Sequence, residues 1–326
     1  MKKGKWILGI AFVAALVGLI YLINALSNNP EHVYHVGIFQ VVRHPVLDAM
    51  AKSFQDGLEA NYPGKVQFDV KVPEGDAGKT EQMAQSFASG DYDLVFVIGT
   101  NLAQSLAKKT KTIPIVLGGA TDPQAAGLVD SWDKPGRNIT GTSDLSPVGL
   151  QMDRLRELLP HARRIGVIYN PSEDNSKIIL IHFNRECEQR GLTPVSVTVS
   201  SPNDIQQTLV SLVGKIDALY APTDATVQSA FPALIKVANE VKIPVFNCDE
   251  GTAQKGALFS VGFNYEDLGR TSADMAAAIL DGASRPQDMP IRLAGKSTLY
   301  YNAGQIRALG SSVPESWIQT GTKVGE

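Results

Sequence analysis

Cysteine is scarce in this sequence, whose 326 residues include only Cys187 and Cys248. Two cysteines exclude a small domain held together by several disulfides, and they exclude any zinc site built from four cysteines. Cys187 falls within a predicted helix and Cys248 at the end of a predicted strand. We therefore expect two separate buried thiols rather than a disulfide.

Sequence motifs of the common enzyme classes are also missing. No G-x-G-x-x-G follows the first predicted strand, where a dinucleotide would need close contact with the backbone. No G-x-S-x-G or H-E-x-x-H motif occurs, and the five histidines are scattered along the chain. The sequence therefore predicts a protein that is not an enzyme and that holds neither a cofactor nor a metal ion.

Acidic residues are absent from residues 1–30, where Lys2, Lys3 and Lys5 precede a long apolar run. The rest of the chain has 27 basic and 33 acidic residues, a net charge of −6. Because a surplus of acid disfavours a broad surface for nucleic acid, we predict no nucleic-acid partner.

The apolar run covers residues 6–26 and contains one polar residue, Asn24. As a helix it would be roughly 31 Å long, which matches the hydrocarbon core of a bilayer. It is longer than the apolar core of a cleaved signal peptide, about 7–15 residues, and no good cleavage site follows it. Residues 1–30 are therefore predicted to be a signal anchor or, as the alternative, a cleaved signal peptide. Either one exports the remainder of the chain.

Beyond residue 33, short β-branched segments alternate with helical patterns twice over. In the first half, strands are predicted at residues 34–40, 66–72, 94–98, 113–117 and 139–142, with helices at 46–61, 80–88 and 102–108. In the second half, strands are predicted at 164–169, 193–199, 218–221 and 245–247, with helices at 150–159, 175–190, 205–213 and 225–241. The tail has a strand at 258–263, a helix at 268–280, an extended segment at 291–301 and a helix at 303–309. Apolar strands flanked by helices are typical of parallel sheets covered on both faces. The sequence therefore predicts an α/β protein with two doubly wound parallel-sheet lobes, preceded by an N-terminal hydrophobic helix.

Small polar and acidic segments follow most of the predicted strands. Ligands of open α/β sheets bind beyond the carboxyl ends of the strands. Each of these residues, taken alone, is typical of a helix N-cap, but acids recur at four of the loops: Asp122, Glu173, Asp224 and Asp249. Acids can hold an ammonium group and helix starts can hold a carboxylate. The pattern therefore predicts a zwitterion, such as an amino acid, between the two lobes.

Six segments carry a family resemblance: QVVRHP at 40–45, ATDP at 120–123, NITG at 138–141, YNPSEDNS at 169–176, PTD at 222–224 and DLGR at 267–270. Together they resemble the ABC-transporter substrate-binding proteins of the type I periplasmic binding fold, a family that includes tryptophan- and phenylalanine-binding members. The resemblance extends from residue 34 to about residue 317.

The resemblance implies that the chain crosses between the lobes near Ser143, near Phe263 and near Ser284. Lobe one would then comprise residues 33–143 and 264–284, and lobe two residues 144–263 and 285–326. A three-strand hinge would let the lobes close on the ligand.

The same resemblance implies an extracytoplasmic solute-binding protein that delivers a small ligand to the permease subunits of an ABC importer. The ligand would be a small zwitterion, with an aromatic amino acid as the first candidate, and the protein would be a monomer. If residues 6–26 are uncleaved, they would anchor it to the inner membrane, with the lobes on the periplasmic face.

The expected ligand contacts come from both lobes. A helix start in lobe two would hold the polar head of the ligand, loops of lobe one would face it, two acids would pair with its ammonium group, and two aromatic residues would flank its side chain. The helix start supplies Ser172, Glu173, Asn175 and Ser176. The loops of lobe one supply Thr100, Asn101, Thr121, Asp122 and Ser143. The two acids are Asp224 and Asp249, and the two aromatic residues are Phe263 and Tyr265.

Two positions depart from the family pattern. The residue after the Asp of P-x-D is usually Asn and here is Ala225, and the loop after the third strand usually reads A-T-P and here is Gly99-Thr100-Asn101. Both lie in the expected cleft, so a different small zwitterion or a polar metabolite is an alternative ligand. Two other functions stay open, a membrane-anchored ligand sensor that signals to a membrane receptor and an enzyme that uses the cleft acids.

Overall fold

The structure is a computed structural model that describes residues 32–325, apart from residues 249, 294 and 296. The apolar run predicted as a helix at residues 6–26 lies outside the described residues. Within the described part of the chain, no helix is both long enough and apolar enough to cross a bilayer.

Strands and helices alternate along most of the described chain. The strands are β1 (Tyr34–Gln40), β2 (Val66–Lys71), β3 (Leu94–Ile98), β4 (Ile115–Leu117), β5 (Ile139–Ser143), β6 (Arg164–Tyr169), β7 (Thr193–Thr198), β8 (Ala218–Tyr220), β9 (Val245–Asn247), β10 (Phe259–Gly262), β11 (Arg292–Leu293), β12 (Thr298–Asn302) and β13 (Thr322–Val324). The α-helices are α1 (Pro45–Asn61), α2 (Ala77–Ser89), α3 (Thr100–Lys109), α4 (Val148–Leu158), α5 (Asp174–Gln189), α6 (Ile205–Ser211), α7 (Ala225–Ser229), α8 (Phe231–Glu240), α9 (Glu250–Gln254), α10 (Tyr265–Leu280), α11 (Ala303–Ala308) and α12 (Glu315–Thr320).

The strands form two separate sheets, one in each lobe. The first has the order β11-β5-β4-β3-β1-β2, and each of its pairings is parallel. The second has the order β13-β12-β10-β9-β8-β6-β7 and is parallel except where β12 pairs antiparallel with β10. The predicted α/β fold with two parallel-sheet lobes is confirmed, and the antiparallel strand is a feature that the sequence pattern did not show.

Helices cover both faces of each sheet, which explains why a central strand such as β3 is continuously apolar. In lobe one, Phe54 of α1 stacks on Phe96 of β3 with ring centroids 3.9 Å apart, and Leu268 of α10 belongs to the same core. Phe87 of α2 and Leu106 of α3 fill the core on the other face.

Lobe two is built in the same way. Phe183 of α5 and Trp317 of α12 pack on one face of the second sheet, and Leu209 of α6 and Leu234 of α8 pack on the other. Cys187 and Cys248 are not joined in a disulfide, and both are buried, as expected.

The third crossing between the lobes differs from the sequence prediction. Residues 285–326 were assigned to lobe two, but β11 pairs with β5 of the first sheet through Arg292 opposite Thr142 and Leu293 opposite Ser143. Ile291 is buried in the core of lobe one. The chain therefore leaves lobe one after Leu293 rather than near Ser284.

Candidate functional site

A cleft of about 760 Å³ lies between the two lobes. Its walls come from the loops that follow β1, β2, β3, β4 and β5 of the first sheet and β6, β7 and β8 of the second. These are the carboxyl ends of parallel strands, where ligands of open α/β sheets bind. The two sheets therefore direct their ligand-binding edges at each other.

The loop after β3 turns sharply at Gly99, whose φ of 126° is a conformation that favours glycine. A Cβ at this position would also lie 3.1 Å from Cβ of Val41. The turn starts α3 at the cleft, so that Thr100 and Asn101 both line it.

Asn101 uses both ends of its side-chain amide in contacts with the other lobe. Its Oδ1 accepts from the backbone N–H of Asp174 at 3.0 Å, and its Nδ2 donates to the carbonyl oxygen of Ser172 at 3.3 Å. The two walls of the cleft therefore touch at this point.

Asp144 places a buried carboxylate in the cleft directly after β5. Its Oδ2 accepts from the hydroxyl of Tyr265 at 2.9 Å, and its Oδ1 accepts from the hydroxyl of Thr121 at 3.4 Å. Burial raises the pKa of Asp144 from 3.8 to about 6, although both hydroxyls oppose the shift. Among the described residues Asp144 has hydroxyl donors but no ion-pair partner.

Glu173 precedes α5 but does not cap it with its side chain. Its carboxylate instead accepts from the start of α7, through the backbone N–H groups of Ala225 at 2.8 Å and Thr226 at 3.0 Å and through the Thr226 hydroxyl at 2.8 Å. Burial and the charge of Asp224 raise the pKa of Glu173 to about 7.

Asp224 is the N-cap of α7 and is fully buried. Its carboxylate accepts from the backbone N–H groups of Val227 at 2.8 Å and Asn170 at 2.6 Å and from the Ser176 hydroxyl at 2.7 Å. Burial raises the pKa of Asp224, although these donors oppose the shift. Both carboxylates at the start of α7 are therefore held by donors of their own lobe.

Eight of the thirteen residues predicted as ligand contacts line the cleft. They are Thr100, Asn101, Thr121, Ser172, Glu173, Asn175, Asp224 and Tyr265. Their contact with a ligand stays a prediction.

Two other predicted residues, Ser143 and Ser176, are buried behind the cleft wall. The Ser143 hydroxyl donates to the carbonyl oxygen of Thr121 at 2.7 Å, and the Ser176 hydroxyl donates to Asp224. Asp122 caps a turn instead, accepting from the backbone N–H groups of residues 124 and 125 at 3.1 and 3.0 Å. Each of these side chains stabilises its own lobe.

Phe263 and Asp249 complete the predicted set. Phe263 lies in a separate groove of about 460 Å³ beside Pro147 and Leu293, so the structure does not bring it to the cleft. Asp249 lies outside the described residues.

Sequence reasoning missed several parts of the cleft, and two of them bear on its chemistry. The first is Asp144, which follows Ser143 at the end of β5. Its position next to Ser143 at a strand end could have identified it. Successive side chains of a strand point to opposite sides, so Ser143 and Asp144 are alternatives for the cleft. The second is an apolar wall in lobe one, which consists of Val41, Val42, Val46, Leu47, Ile98 and Leu102.

The sequence and the fold of the chain both match known proteins. The sequence model of the family described as ABC transporter substrate binding protein matches residues 35–324. The chain belongs to this family. The resemblance found in the sequence is therefore confirmed.

One similar protein is named for an aromatic amino acid, and another is solved in complex with one. A tyrosine-binding protein of Clostridioides difficile is 35% identical over 324 residues, which cover 95% of this chain and 93% of the relative. The structure of an ABC domain in complex with L-Trp from Streptococcus pneumonia has a TM-score of 0.86 and 34% identity, covering 89% of this chain and 99% of that one.

A second solved structure superposes less closely. It is the ligand-free, open structure of a substrate-binding protein with adhesive properties from Clostridium difficile. Its sequence identity of 38% exceeds that of the L-Trp complex, yet its TM-score is lower, 0.69, over 90% of this chain and 99% of that one.

Proposed function

We propose that this protein is an extracytoplasmic solute-binding protein that captures an aromatic amino acid in the cleft and delivers it to an ABC importer. The observation that carries this proposal is Asp144, a buried cleft carboxylate with neutral donors only. The naming of relatives for tyrosine and L-Trp supports the choice of ligand.

The ammonium group of the ligand would pair with Asp144. A carboxylate that is buried without a positive partner is costly, and an ammonium group within hydrogen-bond distance offsets that cost. Tyr265 and Thr121 hold the Asp144 carboxyl in place, with the Asp144 oxygens fixed at the cleft wall. This assignment replaces the pairing with Asp224 that the sequence suggested, because three protein donors already surround Asp224.

The aromatic side chain would lie on the apolar wall of lobe one. Val41, Val46 and Leu47 come from the end of β1 and the start of α1, and Ile98 and Leu102 come from the end of β3 and from α3. A cleft of about 760 Å³ falls within the usual range for small-molecule sites, about 300–1,000 Å³. The cleft thus offers both the Asp144 carboxylate and an apolar surface.

Residues 6–26 would act as a membrane anchor that keeps the lobes beside the permease subunits. The protein would work as a monomer, because each copy contains both walls of its own cleft. Capture would begin with the lobes apart and end with the ligand enclosed between them.

The test is isothermal titration calorimetry of the full-length protein in detergent micelles. The ligands are L-tyrosine, L-tryptophan and L-phenylalanine, together with 3-(4-hydroxyphenyl)propanoate, which lacks the amino group. We expect at least one amino acid to bind and the propanoate not to bind. Equal binding of the propanoate and L-tyrosine would refute the role of Asp144, and no binding of any amino acid would refute the ligand class.

A further inference from the structure

The side chain of Asn101 joins the two lobes at one edge of the cleft. Asn101 belongs to the first turn of α3 in lobe one. Its two partners, the backbone N–H of Asp174 and the carbonyl oxygen of Ser172, belong to the start of α5 in lobe two. One amide therefore makes two hydrogen bonds that exist only while the lobes are together.

The contact compensates for a missing side-chain cap at the start of α5. The first N–H groups of a helix have no partner within the helix, and a side chain at the N-cap usually supplies one. The N-cap of α5 is Glu173, whose carboxylate is turned away toward α7. Asn101 supplies the missing acceptor for the N–H of Asp174 from the opposite lobe.

Further contacts cross the cleft beside this pair. The Asp174 carboxylate pairs with Lys177 of its own helix at 2.5 Å. That contact holds the pKa of Asp174 low, with help from the nearby Gln104 amide and from the charge of Lys108. Gln104 and Lys108 both belong to α3, so the exposed side of this helix faces the start of α5.

We propose that Asn101 is the positioning residue that holds the lobes closed, by capping α5 across the cleft, and that it thereby slows release of the ligand. When the lobes separate, the Asp174 N–H and the Ser172 carbonyl lose their partner and must be hydrated. Losing two hydrogen bonds of ordinary strength is expected to lower the ratio of closed to open protein about tenfold. The part that concerns ligand release rests on the binding function proposed above.

The variant Asn101→Ala removes both hydrogen bonds, and alanine suits the first turn of a helix, so α3 should remain intact. A matched control is Asn61→Ala, which removes an asparagine hydrogen bond to the carbonyl oxygen of Gly57 within lobe one. Thermal unfolding of both variants shows that each is folded.

The decisive measurement is the distance between the lobes in the full-length protein, read by double electron–electron resonance. Spin labels are placed at Lys79→Cys and Gln206→Cys, exposed positions next to the two rims of the cleft, since the native cysteines are buried. Without any amino acid, wild type and Asn61→Ala should populate the short separation, and Asn101→Ala should lower the ratio of short to long separations about tenfold. A wild-type protein that is open throughout overturns the proposal, as does an Asn101→Ala distribution equal to that of wild type.

A second measurement follows release of L-tyrosine and L-tryptophan by stopped flow. We expect the dissociation rate constant to rise about tenfold in Asn101→Ala. An unchanged dissociation rate constant overturns the effect on release. If neither amino acid binds the wild-type protein, the proposed function fails, while the distances without ligand still decide the role of Asn101.

Discussion

The hydroxyl of Tyr265 donates to Oδ2 of Asp144 at 2.9 Å and ties two crossings of the chain together. Asp144 follows β5, where the chain first leaves lobe one, and Tyr265 begins α10, just after the chain has returned. The hydrogen bond therefore fixes the orientation of the carboxylate at the hinge.

The affinity for L-tyrosine or L-tryptophan should fall as the pH drops below about 6. Burial raises the pKa of Asp144 to about 6 in the free protein, and an ammonium group would lower it again in the complex. The complex then binds fewer protons than the free protein, so affinity declines by up to about tenfold per pH unit below that pKa. Calorimetry between pH 4.5 and 8 measures the decline.

The variant Asp144→Asn tests the Asp144 carboxylate independently of the other acids of the cleft. It should bind roughly tenfold to a hundredfold more weakly at neutral pH, with a flatter pH profile. The control Asp122→Asn changes an acid that caps a turn outside the cleft and should behave as wild type. An Asp144→Asn protein with wild-type affinity would show that the ammonium group lies elsewhere.

Tyr265→Phe should shift the pH profile of binding upward. The Tyr265 hydroxyl lowers the pKa of Asp144, so its loss raises that pKa further. Affinity should then begin to fall at a higher pH than in wild type, and the affinity above pH 8 should change less than the affinity at pH 6. The calorimetric profile of the variant checks both expectations, and an identical profile would contradict them.

The stability of the protein should decrease as the pH rises from about 4.5 to about 7. The native state keeps a proton on Glu173 up to a pKa of about 7, whereas the unfolded state releases it near 4.5. Because the native state binds more protons in this window, the contribution is fully present below it and is lost as the pH rises through it.

Glu173→Gln removes this titration. Its melting temperature relative to wild type should therefore be higher at pH 8 than at pH 5. An exposed glutamate, Glu240, gives the control Glu240→Gln. If the difference between Glu173→Gln and wild type is the same at both pH values, Glu173 does not titrate in this window.

Gly269→Ala should destabilise lobe one. Gly269 of α10 lies against α1, and a Cβ there would be 2.4 Å from the carbonyl oxygen of Met50 and 3.0 Å from Cβ of Ser53. Moving the two helices apart should cost about 1–3 kcal/mol of unfolding free energy. Urea unfolding measures it against Gly295→Ala, where a Cβ would have open space. Equal loss in both variants would exclude close packing as the cause.

Long or strongly apolar elements could be predicted from the sequence. The run LVFVI gave β3 with its observed bounds, because a strand that is buried on both faces is apolar throughout. The helix predicted at 225–241 is broken, because Pro232 starts a new helix after Ala230. Residues 298–302 form β12 after the chain has crossed from the other lobe. Their antiparallel pairing with β10 depends on that crossing and could not be predicted from their local pattern.

Strand ends identified the loops of the cleft but not the side chain that each loop presents. At the end of β5 the choice between Ser143 and Asp144 depends on which side of the strand faces the cleft. At α7 the sequence could not show that Glu173 would leave its own helix and bind the start of another. The bridge from Asn101 depends on contact between lobes, which no local pattern encodes.

The return of the chain to lobe one has a consequence for its synthesis. Leu268, Ala273 and Ala276 of α10 complete the core beside α1, and β11 adds the outer strand. The sheet of lobe two is likewise incomplete until β12 and β13 have been synthesised. A ribosome must therefore deliver the C-terminal segments before either sheet is complete.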